Sequence, residues 1–332
     1  MPLPAQLTGL SIPAIAAPMF LASGPDLVVE VCRSGIIGTF PALNQRTSDG
    51  YAAWLDEISS RLARIAEEGG RVPAPFGVNL IVHRSNPRLA ADLALTVRHR
   101  VPLVITSLGA AHEVVAAVHG YGGLVFHDVV NVRHAEKAAA AGVDGIIAVC
   151  AGAGGHAGTL SPFALVAEIA SIFGGTIVLS GAISTGRQIA AARMLGADMA
   201  YLGTRFLATR ECMVSDAQKQ MIVASSAADI IYTPKVSGVP ANFLRGSIEA
   251  TGIDLAALSH EGGLDLGNEA RAWKTVWSAG QGVGSIRDVP PAAELCARLI
   301  AEYRDAWAGA CAAEAAFVGS MTVKRPEKAG ER

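Results

Sequence analysis

Three times along this chain a helix-like stretch closes on a glycine and hands over to an apolar run. Residues 28–34 lead to Gly35 and then to Ile36-Ile37-Gly38-Thr39-Phe40. Residues 135–141 lead to Gly142, with Asp144 opening the run 146–149; residues 187–195 lead to Gly196, with Asp198 opening 199–202. A glycine just past a helix supplies the left-handed cap. A short unbroken apolar run after it predicts a strand buried on both faces. Units of this kind imply parallel strands joined by crossover helices, which restricts the chain to an α/β architecture.

Strands are predicted near residues 14–18, 36–40, 76–80, 102–106, 123–127, 145–149, 176–180 and 199–203. Eight such units within about 200 residues fit a closed (β/α)8 TIM barrel better than an open sheet. A doubly wound sheet is the alternative, but its dinucleotide signature of glycines right after the first strand is missing. Residues 1–209 are therefore assigned to the barrel core. From 210 to 285 the pattern changes, and this stretch reads as a mainly helical insertion or lid covering the active-site end. Residues 286–323 are expected to form a C-terminal helix returning to the barrel, with Leu295, Leu299, Ile300, Tyr303 and Trp307 on one face. Residues 324–332 read as a disordered tail.

Charged residues make up 17% of the 332, and the formal net charge is -2. No basic excess favours nucleic acid or an anionic membrane surface. The five cysteines, Cys32, Cys150, Cys212, Cys296 and Cys311, show no CxxC pairing. Scattered and odd in number, they fit reduced thiols in a cytoplasmic protein. The apolar N-terminus has no basic residue before Arg33 and is broken by prolines, unlike a secretory signal. No apolar stretch has the length and continuity of a membrane span. No HExxH or clustered ligand spacing supports a metal.

Barrel enzymes carry their reactive groups on the loops after the strands. After the first strand comes Ala17-Pro18-Met19-Phe20, and Asn79 ends the third. The fifth ends in His127-Asp128. The sixth runs into Ala151-Gly152-Ala153-Gly154-Gly155-His156-Ala157-Gly158, where small residues let the backbone approach a flat ligand and one imidazole rises among them. After the seventh and eighth strands come Ser180-Gly181-Ala182 and Gly203-Thr204, with a helix starting near Arg187 between them. Such loops and the helix N-terminus form the usual barrel phosphate site.

Each residue also has a plainer reading. A single glycine at a strand end is more often a turn than a ligand contact, but glycines after both the seventh and eighth strands, with a hydroxyl beside one, reverse that. Asn79 could cap neighbouring backbone groups. His127 and His134 fit core or helix-surface roles. Cys150 is expected to point into the barrel as the end of the sixth strand. His156 stands apart, because a glycine loop gives little packing reason for an imidazole. Side chains alone look underpowered here, which points to a cofactor that carries the chemistry.

The chain resembles the nitronate monooxygenase family, formerly called 2-nitropropane dioxygenases. The resemblance rests on Ala17-Pro18-Met19, Gly77-Val78-Asn79, Gly142-Val143-Asp144-Gly145, Ala153-Gly154-Gly155-His156-Ala157-Gly158, Leu179-Ser180-Gly181-Ala182-Ile183 and Gly203-Thr204-Arg205-Phe206. It implies an FMN-dependent barrel oxidoreductase with His156 as the catalytic base. The FMN phosphate would be held by Gly181, Gly203 and Thr204, beside Ser180 and Ala182. Pro18, Met19, Asn79 and Asp128 would line the rest of the cofactor, with Ala153, Gly154 and Gly155 against the ring and Gln281 closing over it. Histidine titrates near ~6.5 as a residue type, which suits a base at neutral pH.

The implied reaction is oxidation of alkyl nitronates, and of neutral nitroalkanes, with O2 to carbonyl compounds and nitrite. One departure is Asp128, where some nicotinamide-using relatives carry lysine; it could orient His127 or bind a ribityl hydroxyl. Two other functions stay open: an FMN-dependent NAD(P)H reductase of quinones or enoyl thioesters, and a flavin-free barrel lyase or isomerase of a phosphorylated substrate. Partners are expected to be small molecules and O2, with a homo-oligomer open.

Overall fold

The computed structural model describes residues 3–109, 112–253 and 275–320. Eight parallel strands close into a barrel. In chain order they are β1 (Ala14–Ala16), β2 (Ile37–Pro41), β3 (Gly77–Ile81), β4 (Leu103–Ser107), β5 (Leu124–Val129), β6 (Gly145–Val149), β8 (Thr176–Ser180) and β9 (Met199–Leu202). β9 pairs back onto β1, with Ile15 opposite Tyr201, which closes the ring. Between β6 and β8 lies the two-residue β7 (Gly155–His156), outside the barrel sheet.

The repeat that predicted this fold has a physical cause in the structure. Gly142 and Gly196 take φ of 81° and 101°, conformations that side chains resist. The acid two residues on then reaches sideways: Asp144 Oδ2 accepts from Val125 N at 2.8 Å, and Asp198 Oδ2 accepts from Ile177 N at 2.9 Å. Each carboxylate thus pins the start of the neighbouring strand.

Alternate residues of each strand face opposite sides. Ile15, Ile37, Ile105, Phe126, Ile147, Val178 and Met199 fill the barrel axis. Their neighbours, such as Val104, Val125 and Ile146, pack outward against the helices. Cys150 belongs to this outer layer with Ile146 and Ala148, so the expectation that it points into the barrel is corrected. Burial pushes its thiol up to about 12, which keeps it protonated.

The helices around the ring are α1 (Pro25–Arg33), α2 (Ser48–Glu67), α3 (Leu89–Arg98), α4 (His112–His119), α5 (Val132–Ala140), α6 (Pro162–Ile172) and α7 (Gly186–Met194). After β9 come α8 (Thr204–Leu207), α9 (Asp216–Ala224), β10 (Ile230–Thr233), β11 (Ala241–Leu244) and α10 (Arg245–Ala250). The segment expected as a mainly helical lid therefore also contains a strand pair. β10 and β11 are antiparallel, and β11 continues onto β7. Residues 254–274, and the tail expected to be disordered, lie outside the described residues.

The last helix, α11 (Ala292–Ser320), packs on α7 and α1, with Leu295 and Leu299 fully buried. No described helix is long and apolar enough to cross a membrane.

Candidate active site

A cavity of about 1880 Å³ opens across the C-terminal ends of the barrel strands, where the sequence placed the chemistry. Pro18, Met19, Asn79, Asp128, Gly154, Gly155, His156, Ser180, Ala182, Gly203 and Thr204 line it. Ala153, Gly181 and Gln281 do not line it. Gln281 is exposed, and its backbone N–H donates to Gly152 O at 2.9 Å, so it clasps the glycine loop from outside.

His156 sits on β7, which pairs with β11: Ala241 lies opposite His156 and Asn242 opposite Gly155. Two side chains brace this loop. Asn242, buried, donates from Nδ2 to Ala153 O at 2.6 Å. Gly155 N donates to Ser278 Oγ at 2.7 Å, and Ser278 donates to Asn242 O at 2.7 Å. A Cβ on Gly154 would stand 2.9 Å from Gly280 N, so that glycine lets two backbones cross.

Across the floor, three strand ends share one chain of hydrogen bonds. Asn79 Nδ2 donates to Ser107 Oγ at 2.8 Å, and Ser107 donates to Asp128 Oδ2 at 2.7 Å. Burial pushes the Asp128 carboxyl up to about 6, opposed by the Ser107 hydroxyl and the field of His156. Asp128 does not orient His127. The two alternate along β5, and His127 Nδ1 bonds instead to Thr106 Oγ1 at 2.7 Å. Burial there pushes the His127 imidazole down to about 4.

The expected phosphate end divides in two. The N-terminus of α7 is already satisfied by protein groups. Gln188 Oε1 accepts from Ser184 N and Thr185 N, and Gly186 N donates to Glu302 Oε2 at 2.7 Å. A carboxylate in that position excludes an anion, so the reading of α7 as the phosphate helix is corrected. Around β9 the position is open. A Cβ on Gly203 would find nothing nearer than Ala17 Cβ at 3.8 Å and Met19 at 4.0 Å. Its φ of -99° suits any residue, so nothing in the chain's own packing demands a glycine there. Thr204 Oγ1 accepts from Gly280 N at 2.8 Å, which leaves its hydrogen to donate. Arg205 is turned away and paired with Asp288 at 2.8 Å.

These observations fit a phosphorylated planar cofactor such as FMN. The space at Gly203, the hydroxyl of Thr204 and the small-residue wall at Gly154 and Gly155 suit an anion and a flat ring. Among the described residues no group of His, Cys, Asp or Glu is placed to hold a metal ion.

The geometry is that of a parallel α/β barrel with a broad cavity across the C-terminal ends of its strands. Residues 3–302 match the nitronate monooxygenase family, and the chain belongs to that family of flavin-dependent oxidoreductases. It is 27% identical to a nitronate monooxygenase of Paraburkholderia phytofirmans, over 90% of this chain and 94% of that one. A hydroxy-methyl-oxo-octahydroindene carboxyl-CoA dehydrogenase of Rhodococcus jostii is 26% identical, over 78% of this chain and 68% of its own length. The structure resembles nitroalkane oxidase from Streptomyces ansochromogenes with a TM-score of 0.74 and 26% identity, covering 92% of this chain and 99% of that one.

Ser107, Tyr201, Asn242 and Ser278 also belong to the site, and the sequence reading gave them no role. Ser107 and Tyr201 line the cavity two residues beyond Ile105 and Met199, which face the barrel axis, so strand alternation could have found them. Asn242 and Ser278 carry no such signal.

Proposed function

We propose that this chain is an FMN-dependent nitronate monooxygenase that converts alkyl nitronates and O2 to carbonyl compounds and nitrite. Neutral nitroalkanes would enter the same reaction after His156 removes their α-proton. The observation that carries this reading is the placement of His156: one imidazole on a braced glycine loop, at the wall of a cavity that has room for a flat cofactor.

FMN, when bound, would supply the electron sink and the reaction with O2. Gly203 and Thr204 would hold its phosphate, with Ser180 and Ala182 beside them. Met19 and Pro18 from the β1 loop would cover one side, and Asn79 and Asp128 would meet its polar edge. His156 would hold the proton it takes and, once cationic, attract the nitronate oxygens. Asn242 and Ser278 would keep it in register, since general-base catalysis requires hydrogen-bond reach to the proton.

The test separates the two substrate forms. His156→Ala should abolish turnover of neutral nitroalkanes while sparing much of the turnover of preformed nitronates. Equal loss on both would count against the base assignment.

One observation favours a second reading, an FMN-dependent NAD(P)H reductase of a quinone or enoyl thioester. The cavity of about 1880 Å³ exceeds the roughly 300–1,000 Å³ of ordinary ligand pockets and leaves room beside a flavin for a long acyl chain. Anaerobic mixing decides between them: bleaching of the flavin by NADH, with none by a nitronate, would replace the first reading with the second.

A further inference from the structure

The loop between β1 and α1 is clasped from both flanks. Asn44, just after β2, makes three of the ties. Its Oδ1 accepts from Leu21 N at 2.8 Å, and its Nδ2 donates to Met19 O at 3.1 Å and to Ser23 O at 2.8 Å. Backbone carbonyls only accept, so they fix which end of the amide is NH2. Met19 N donates to Ser23 Oγ at 3.0 Å, and Met213 N, from the segment after α8, donates to Ala22 O at 2.9 Å. Inside this clasp Leu21 takes φ of 58°, a left-handed conformation that glycine adopts freely and a leucine resists. The leucine stands there against that backbone cost, yet neither its side chain nor that of Phe20 joins a core cluster of the described residues. Both are half-buried and line the cavity. Strain of this kind persists only where the surroundings over-determine it, and it gathers at ligand sites.

We infer that Phe20 and Leu21 form a substrate-selecting lip, an apolar surface held at the cavity wall to receive the alkyl chain of the substrate, with Asn44 as its positioning residue. The inference rests on the functional reading above and deepens it: the preferred nitronates are those with an apolar chain, and short or chain-end-charged ones are poor. His156 and the lip line the same cavity, so the nitronate head faces the imidazole while the chain lies along the lip. Each chain methylene buried there strengthens binding about fourfold. The chain is held alike before and during the reaction, so the gain belongs to KM and leaves kcat nearly constant. A carboxylate at the far end of the chain would lose water against side chains that offer it no hydrogen bond.

The experiment measures kcat and KM of the FMN-loaded enzyme on the nitronates of nitroethane, 1-nitrobutane and 1-nitrohexane, in the wild type, Leu21→Gly, Phe20→Ala and Asn44→Ala. Wild-type KM should fall about tenfold or more from the shortest chain to the longest. Leu21→Gly strips the side chain while suiting the backbone at φ of 58°, so it tests the lip without misfolding the loop. Its KM should rise about twofold on the shortest nitronate and about tenfold or more on the longest, and Phe20→Ala should follow the same trend. Asn44 does not line the cavity, yet Asn44→Ala should lose the same dependence on chain length. Adding Leu21→Gly to it should bring no further loss, as for residues that act through one element.

Calorimetric titration of the holoenzyme with acetate, butyrate and hexanoate, planar trigonal anions like a nitronate, reads the lip without turnover. Wild-type affinity should climb with chain length, and Leu21→Gly should flatten the climb. The inference is overturned if Leu21→Gly keeps the wild-type dependence on chain length. It is overturned equally if FMN affinity, read by quenching of flavin fluorescence, falls in Leu21→Gly as far as activity does, since the lip would then serve the cofactor. An Asn44→Ala protein that weakens all chain lengths alike would strike out the positioning role. A wild type that turns over no nitronate would instead sink the functional reading, and the carboxylate titrations would still decide the lip.

Discussion

His156 is paired with Ala241 across an antiparallel ladder, so the imidazole at the barrel mouth is positioned by the segment inserted after the last barrel strand. Tyr232 of β10 adds a bond from its hydroxyl to Ala157 O at 3.1 Å. The candidate base therefore depends on two parts of the chain that fold against each other, and substitutions remote in sequence should reach it.

Asn242→Ala is the most direct test of that dependence. The substitution leaves Ala153 O, in a buried loop, without the donor it has at 2.6 Å. An abandoned buried acceptor costs about 1–3 kcal/mol. Thermal unfolding should shift down by a few degrees, at about 2–4 °C for each kcal/mol. FMN affinity should change little, because Asn242 does not line the cavity. Turnover of neutral nitroalkanes should fall at least tenfold. A variant with wild-type turnover would show that the loop holds its own shape.

Gly203→Ala and Gly280→Ala should fail in opposite ways. A Cβ at Gly203 meets nothing within 3.8 Å, so thermal stability should stay within about 0.5 kcal/mol of wild type. The methyl group would occupy the space assigned to the cofactor phosphate, and FMN affinity should drop at least tenfold. A Cβ at Gly280 would stand 2.5 Å from Gly152 O and 2.7 Å from Gly154 N. Backbone atoms cannot swing aside, so this variant should lose about 1–3 kcal/mol of stability. Calorimetric melting and fluorescence titration of both proteins check the pair; equal FMN loss with equal destabilisation would remove the case for a ligand cradle at Gly203.

These contrasts show what the sequence could and could not reveal. The barrel was readable because strands buried on both faces are continuous apolar runs, and because Gly142 and Gly196 mark where helices end. Asn79, Asp128 and His156 stood out as polar groups at strand ends. The brace on His156 was hidden, because Asn242 lies 89 residues from its partner Ala153, and Ser278 lies 123 from Gly155. The pair β10–β11 sits in a proline- and glycine-punctuated stretch, and its strands of four residues carry too little alternation to read. The capping of α7 by Glu302 was equally invisible, since it depends on how α11 docks.

His127 gives a pH dependence of stability with a defined sign. Burial lowers its pKa from 6.5 to about 4, so the folded protein resists the proton that the unfolded chain accepts. Its contribution is complete above pH 6.5 and is lost as pH falls toward 4, at about 1.4 kcal/mol for each pH unit travelled. His127→Gln should flatten that part of the stability curve. Melting temperatures from pH 7 down to pH 4 read it directly, and an unchanged slope in the variant would show that other groups set the acid limit.

Asp128 works in the opposite direction over nearly the same range. Its carboxyl is raised from 3.8 to about 6, so the fold prefers the neutral acid. The preference stabilises fully below pH 3.8 and disappears as pH rises through 6, above which the fold carries a buried carboxylate with one unpartnered oxygen. Asp128→Asn, close to isosteric and never charged, should match the wild type near pH 4 and melt higher at pH 8. A variant that melts no higher than wild type at pH 8 would mean that the charge is already compensated within the protein.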